Sequence, residues 1–428
     1  MTTTSPFHSE HHHGSHRDLL DSAPETASRA HVDAIIVPTI RGARVLRHAM
    51  SLASRLKSVL VVLCSGSDTS APAVAALAAT TGAEVLALDV GCTSARLLPE
   101  FKTTTGLERT RLRHHSDLSL KRNLGLLIAR LAGWERIAFL DDDIHVPDAF
   151  DLERAAALTG DYAGVGLRIG GYPDNSVVCH AYREAGGPQD TFVGGGALVV
   201  RTGSTSSFFP KIYNEDWFFL LGGEKLRPTA VTGLALQQPY DPFNLDERAR
   251  MEEFGDTIAE GLFWLLDEGR PLTDANATYW SRYLDKRRKF IVQTMNMVRE
   301  AEVDPGRRSK MLGSLTAAWG RSQYIRPQWC SDYVRAWRED RQVWREHLER
   351  YGHNCCDGDL DKVRAELGLK HKSTYLLGQP LDHDVADLEA FGAVDVGGRV
   401  ALDGGMGPYV IPKPGVQPGS SAVAQLHG

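Results

Sequence analysis

Short apolar runs separated by amphipathic stretches set the pattern of the first two hundred residues. Val32 to Val37 is apolar except for Asp33 and stops at Pro38, which predicts a buried strand. A helix-like stretch, Ala43 to Leu56, follows, then a strand over Ser58 to Leu63. A helix over Ala71 to Thr80 leads to a strand over Glu84 to Leu88. This βαβαβ order implies a parallel sheet with right-handed crossovers. Leu118 to Leu131 has the period of an amphipathic helix, and the apolar run Ile137-Ala138-Phe139-Leu140 comes after it. A helix around Leu152 to Leu158 leads to Ala163-Gly164-Val165-Gly166-Leu167. Gly194, Gly195 and Gly196 precede the β-branched run that ends at Arg201. Three glycines there let a backbone or a ligand come close, or make a plain turn.

From about Ile258 to Tyr351 the period becomes that of long helices. Six of the eight tryptophans fall in this stretch, which predicts a helical core packed against the sheet. Four segments result: a disordered stretch, 1–30; a sheet domain, 31–257; a helical region, 258–377; and a Gly/Pro-rich tail, 378–428, with Pro412 to Gly419 read as mobile.

Composition changes this picture little. Of 428 residues, 42% are hydrophobic and 24% charged, as in an ordinary globular protein. The formal net charge of −6 gives no reason to expect nucleic acid or an anionic membrane surface as partner. No apolar run approaches the roughly 20 residues that span a bilayer, and the polar, His-rich start has no signal-peptide core. The six cysteines are scattered without zinc-ligand spacing, so a reducing cytoplasm is the expected compartment. His11, His12, His13 and His16 are read as at most an adventitious chelator.

The candidate chemistry sits at the end of one strand. Asp141, Asp142 and Asp143 close the run Ile137 to Leu140. In extended chain Asp141 and Asp143 share one side and Asp142 takes the other. Two hard oxygen ligands suit Mg²⁺ or Mn²⁺ carrying a diphosphate. Like charges at that spacing also call for a cation or a cationic neighbour. The plainer reading is a solvated loop with an acidic cap for the next helix. Glu215-Asp216 is a second acidic pair, which either does acid–base work or simply favours a helix N-terminus. Lys121 and Arg122 add charge near the phosphates or belong to a solvated helix face. His145 and His180 are read as satisfied histidines before metal ligands, and Asp174 and Asn175 lie where an acceptor would enter.

Taken in order, these motifs resemble the GT-A glycosyltransferases, especially the family 2-like inverting enzymes, over about Val32 to Leu221. Ile35-Ile36-Val37-Pro38-Thr39 is similar to the family's opening strand, whose exit loop helps hold the donor nucleotide. Cys64-Ser65-Gly66-Ser67 stands where the family usually has an acidic pair and Gly-Ser. Lys121 to Gly125 resembles the segment before the metal strand, Asp141 to Asp143 the DXD position, and Glu215-Asp216 the acceptor-side acidic motif.

The resemblance implies an α/β fold with a Rossmann-like, mostly parallel GT-A sheet and a helical C-terminal region. It implies a metal-dependent transfer of a sugar from a nucleotide-sugar donor to an acceptor hydroxyl, with inversion. Pro38, Thr39, Ser65, Lys121, Arg122, Asp141 and Asp142 would hold the donor. Asp143 and Asp141 would hold Mg²⁺ or Mn²⁺. Asp216 would be the base, with Glu215 orienting the acceptor, and Gly194, Gly195, Gly196 and Trp217 would lie on the acceptor side. A retaining transferase, a nucleotidyltransferase and a nucleotide-sugar binding protein without turnover are the competing readings. The helical region shapes the acceptor site or makes a homodimer, and both stay open.

Overall fold

The computed structural model describes residues 16, 19–23, 28–172, 175–188, 192–204, 207–352 and 355–378. They fall in one compact unit, Met1–Val385, while a second, Ala386–Gly428, lies outside the described residues together with the tail motif at 412–419 and His11 to His13. The strands are β1 Asp21–Ser22, β2 Ala34–Thr39, β3 Val59–Cys64, β4 Val85–Asp89, β5 Arg136–Leu140, β6 Ile144–His145, β7 Gly164–Gly171, β8 Ala197–Arg201, β9 Thr229–Gln237 and β10 Ser373–Leu376. The helices are α1 Arg47–Leu56, α2 Ala71–Ala78, α3 Cys92–Ala95, α4 Lys102–Glu108, α5 Leu118–Ala132, α6 Phe150–Leu158, α7 Val177–Glu184, α8 Glu215–Leu220, α9 Asp246–Asp267, α10 Ala277–Glu300, α11 Pro305–Ser322, α12 Pro327–Tyr351 and α13 Leu360–Glu366.

All strands join one mixed sheet in the order β1-β9-β7-β8-β5-β2-β3-β4-β10, with β6 paired to β9. β4, β3, β2 and β5 run parallel, β8 is antiparallel between β5 and β7, and β10 is antiparallel on β4. Period-2 alternation sorts the core into two faces. Ile35, Val37, Leu60 and Val62 face α1, α2 and α6; Ala34, Ile36, Val61 and Phe139 face α5, α8, α9 and α12. A third cluster joins α7, α10 and α11. No helix among the described residues is long and apolar enough to cross a membrane.

Two sequence expectations change here. The 257/258 boundary falls inside α9, and one hydrophobic core runs from β2 and β5 into α9, α10 and α12. The helical region packs against the sheet and shares its core across that boundary, and it returns β10 to the sheet edge. Part of 1–30 is also ordered against this core. β1 pairs with β9, and His16 is fully buried. A composition-based reading of disorder misses single anchoring residues of this kind.

The site is placed by strand order. The chain moves from β2 outward to β3 and β4, then returns to β5 on the other side of β2. Ligands of open α/β sheets bind at such a reversal, outside the carboxyl ends of the strands. The β2–β5 ladder stops at Ile36 and Phe139, and Pro38, which has no N–H, follows on β2. α5 closes down over this gap. Its Gly125 lies so near Ile36 that an added Cβ would sit 2.8 Å from Ile36 Cγ2.

Candidate active site

The Asp triplet is a turn, not extended chain. Ile144 N–H donates to the Asp141 carbonyl at 3.1 Å, so strand alternation stops governing the side chains at Leu140. Asp142 turns back to β2 and accepts from Thr39 Oγ1 at 2.6 Å. Asp143 pairs with Arg41 at 3.0 Å, and Arg41 also pairs closely with Asp142. Asp141 pairs with Arg122, with Nη2 at 2.9 Å and 3.1 Å from the two carboxylate oxygens. The cationic neighbours that the like charges demand are thus two arginines, Arg41 and Arg122. Burial raises the Asp142 carboxyl, which Thr39 and Arg41 oppose.

Arg122 joins the turn to the second acidic pair. It lies in the first turns of α5 and is 2% exposed, and its Nη1 donates to Glu215 Oε1 at 2.5 Å. Burial works against its charge, and Asp141, Glu215 and Asp216 outweigh that, so its pKa stands above the usual guanidinium range. Lys121 is equally buried. Its Nζ pairs with Asp117 at 3.0 Å and donates to the Thr39 carbonyl at 3.0 Å, fixing the end of β2. Neither residue lies on a solvated helix face.

Glu215 and Asp216 open α8, directly after Asn214 in a left-handed conformation at φ 62. Asn214 Nδ2 donates to Asp256 Oδ1 at 3.1 Å, so α9 braces this bend. Glu215 is buried, whereas Asp216 keeps part of its surface open. Asp216 Oδ2 accepts from Gly195 N–H at 2.5 Å and Oδ1 from Trp217 N–H at 2.9 Å. Burial raises both carboxyls above their ordinary range, with Arg122 opposing.

The triple glycine makes this packing possible. A Cβ on Gly195 would sit 2.4 Å from Arg122 Nη1, and one on Gly196 would sit 3.3 Å from Asp141 Oδ2. Gly194 is less confined, with its nearest neighbour, Asp216 Oδ2, at 3.5 Å. The three glycines therefore lie over the Asp141–Arg122–Glu215 chain and beside Asp216.

Other expected residues take different places. Trp217 exposes only 2% of its surface, because it starts a buried helix face together with Phe218 and Phe219. It can shape an acceptor side only from beneath. Ser65 borders the same sheet edge, its N–H donating to the Thr39 carbonyl at 3.1 Å. His180 is fully buried, with Nε2 2.8 Å from Tyr240 Oη and Nδ1 3.0 Å from Arg183, so both nitrogens are engaged. The His145 ring lies tilted against that of His48, with centroids 3.9 Å apart. The Asn175 side chain accepts from Ser176 N–H at 2.7 Å, and Asp174 lies outside the described residues.

Two contributors escape sequence reasoning. Arg41 has no motif signal beyond its place after β2. His16 lies between Trp217 and Phe263, with ring centroids at 4.3 Å and 4.4 Å, and its Nδ1 accepts from Val193 N–H at 3.2 Å. Burial lowers its pKa to about 3, so it stays neutral. His16→Ala is expected to destabilise the fold by about 2 kcal/mol, on the scale of buried side-chain truncations. A urea midpoint equal to that of the wild type would show that the ring adds nothing.

Asp141 and Asp143 offer hard oxygen atoms of the kind a divalent cation takes, and each is already paired with an arginine. Asp141 and Asp143 keep 30% and 23% of their side-chain surface open, and one or two carboxylates with substrate phosphates suffice for Mg²⁺. The one described trio of ligand atoms lying within 4.8 Å of one another, on Cys179, Asp256 and Glu260, is elsewhere. There Arg287 pairs with both carboxylates at 2.6 Å and takes the place of a cation.

No protein-family model and no curated protein matches the sequence. Among solved structures, the chain is similar to the mannosyltransferase PcManGT from Pyrobaculum calidifontis, in complex with GDP-Man and Mn²⁺. The match has 14% identity and a TM-score of 0.38, and covers 76% of this chain and 91% of that one. A likeness at this level transfers nothing to this chain.

Proposed function

We propose that the protein is a glycosyltransferase that moves a sugar from a nucleotide-sugar donor to an acceptor hydroxyl, with inversion. One observation carries this reading. An acidic turn and an acidic helix start, joined by Arg122, meet under a glycine loop at the reversal of an α/β sheet. The acidic turn would take the donor diphosphate and Asp216 the acceptor hydroxyl.

In this reading the bond from C1 to the diphosphate breaks while the acceptor oxygen bonds C1 from the opposite face. Asp216 accepts the hydroxyl proton. The N–H groups of Gly195 and Trp217 hold its carboxylate in place. Arg122 donates to Glu215 and so fixes the start of α8. Thr39 and Arg41 hold Asp142, which anchors the turn to β2. Asp143 and Asp141 would hold a divalent cation, whose charge would offset that of the leaving diphosphate.

The test is a thermal-shift screen of nucleotide sugars with and without Mn²⁺, followed by Asp143→Ala. The variant is expected to fold normally and to weaken Mn²⁺-dependent donor binding at least about tenfold, an effect of about 1.4 kcal/mol. Arg41 favours a second reading, because its guanidinium already spans Asp142 and Asp143 and itself could face the diphosphate. Donor binding untouched by EDTA but lost in Arg41→Gln would establish that metal-free form.

A further inference from the structure

Beside the N-terminal half of α9, a small open cavity is lined by Arg111, Arg113, His115, Glu247, Arg250 and Arg321. Four guanidinium groups thus face one carboxylate, in a protein whose formal net charge is −6. Glu247 is already used, pairing with Arg250 at 2.9 Å. Arg111, Arg113 and Arg321 have no ion pair among the described residues.

These arginines are held in position without being neutralised. Arg111 lies over the Tyr324 ring, 5.0 Å from its centroid, and donates to Tyr324 Oη at 2.7 Å. Arg321 donates to the Arg111 carbonyl. Arg113 approaches the His115 ring, with Nη2 at 3.3 Å from Nδ1. Burial depresses the Arg321 pKa; Arg250 and Arg111 add to this and Glu247 opposes it. A cleft lined by one sign of charge focuses its field and concentrates ions of the other sign. The planar guanidinium fork matches phosphate and carboxylate oxygens, and the lining contains no lysine.

We propose that this arginine-lined cavity is a binding site for a phosphate-class anion, separate from the sheet-edge site. It lies beside the acidic pair without being part of it. Phe254 lines the cavity, and the next residue, Gly255, packs on Tyr213, where an added Cβ would sit 2.3 Å from the carbonyl oxygen. Tyr213 and Asn214 lead straight to Glu215-Asp216. An anion held here is thus linked through α9 to the segment that the proposed function gives to the acceptor, either as a group on the acceptor or as a free effector.

The probe is inorganic phosphate, titrated calorimetrically with EDTA present so that turnover and metal play no part. Saturable binding is expected, weakening with added NaCl because the charges are exposed to screening. Arg113→Gln and Arg321→Gln should each weaken it about tenfold or more, while Arg41→Gln leaves it unchanged. Arg113 is exposed and makes no carbonyl contact among the described residues, so its variant tests charge even if Arg321→Gln fails to fold. Absence of saturable binding to the wild type, or equal binding by the wild type and Arg113→Gln, overturns the proposal. Nucleotide-sugar binding in the presence of Mn²⁺ separates the sources. If Arg113→Gln weakens it as much as it weakens phosphate binding, the cavity belongs to the donor site and the proposal of a separate site falls. If Arg113→Gln weakens phosphate binding alone, the separate site stands, whether or not the protein transfers sugar.

Discussion

Asp216→Asn is expected to lower turnover by about 10²–10⁴-fold, the usual contribution of a positioned general base. The amide keeps the size of the carboxylate but has a single carbonyl oxygen, so it can accept from only one of the Gly195 and Trp217 N–H groups, which bond different oxygens of Asp216. It cannot take a proton. Donor affinity should stay nearly constant, because the residue acts on the acceptor hydroxyl in the transition state. The wild-type rate should also depend on pH in one direction. Burial raises the Asp216 carboxyl, and a base works only when ionised, so activity falls as pH drops through that raised pKa. Initial rates of the two proteins across pH, at saturating donor, check both points. A variant that keeps most of its rate would move the base elsewhere or make the reaction retaining.

Arg122→Met is expected to cost about 3–5 kcal/mol of stability, the range for removing one partner of a buried ion pair. The large value follows from what is left behind. Glu215 loses the cation 2.5 Å away and remains in a buried place, and Asp141 loses its partner at the turn. Pairing the change with Glu215→Gln removes one stranded charge. The double variant should therefore recover part of the loss. Denaturant midpoints of the four proteins measure the coupling. Additive losses would mean that the two side chains do not depend on each other.

The apolar runs made the inner strands legible. Β2, β3, β4 and β5 lie within a residue or two of the runs that predict them, because each is buried on both faces. Β1, β6 and β10 have two to four residues, too few to show a period, and they pair only at the margins of the sheet. The acidic motifs were visible as residue types, but their connection was not. Arg122 and Glu215 are 93 positions apart, and nothing local marks them as partners. Lys121 and Arg122 look like the polar face of an amphipathic helix. That face lies over the sheet edge and is filled by carboxylates and carbonyls instead of water. His16 sits in a stretch whose composition resembles a tag, and only its packing against Trp217 and Phe263 gives it a role.

The closing strand has a consequence for synthesis. Tyr375 of β10 donates to Glu84 at 2.5 Å across 291 positions of sequence. At about 5–20 residues per second, roughly 15–60 s pass between the appearance of β4 and that of the strand which covers it. During that interval the nascent sheet presents a bare apolar edge, the feature that recruits chaperones or neighbouring chains. A ribosome that stops within α12 leaves a product with most of its core and the candidate site residues in sequence, but with that edge still uncovered.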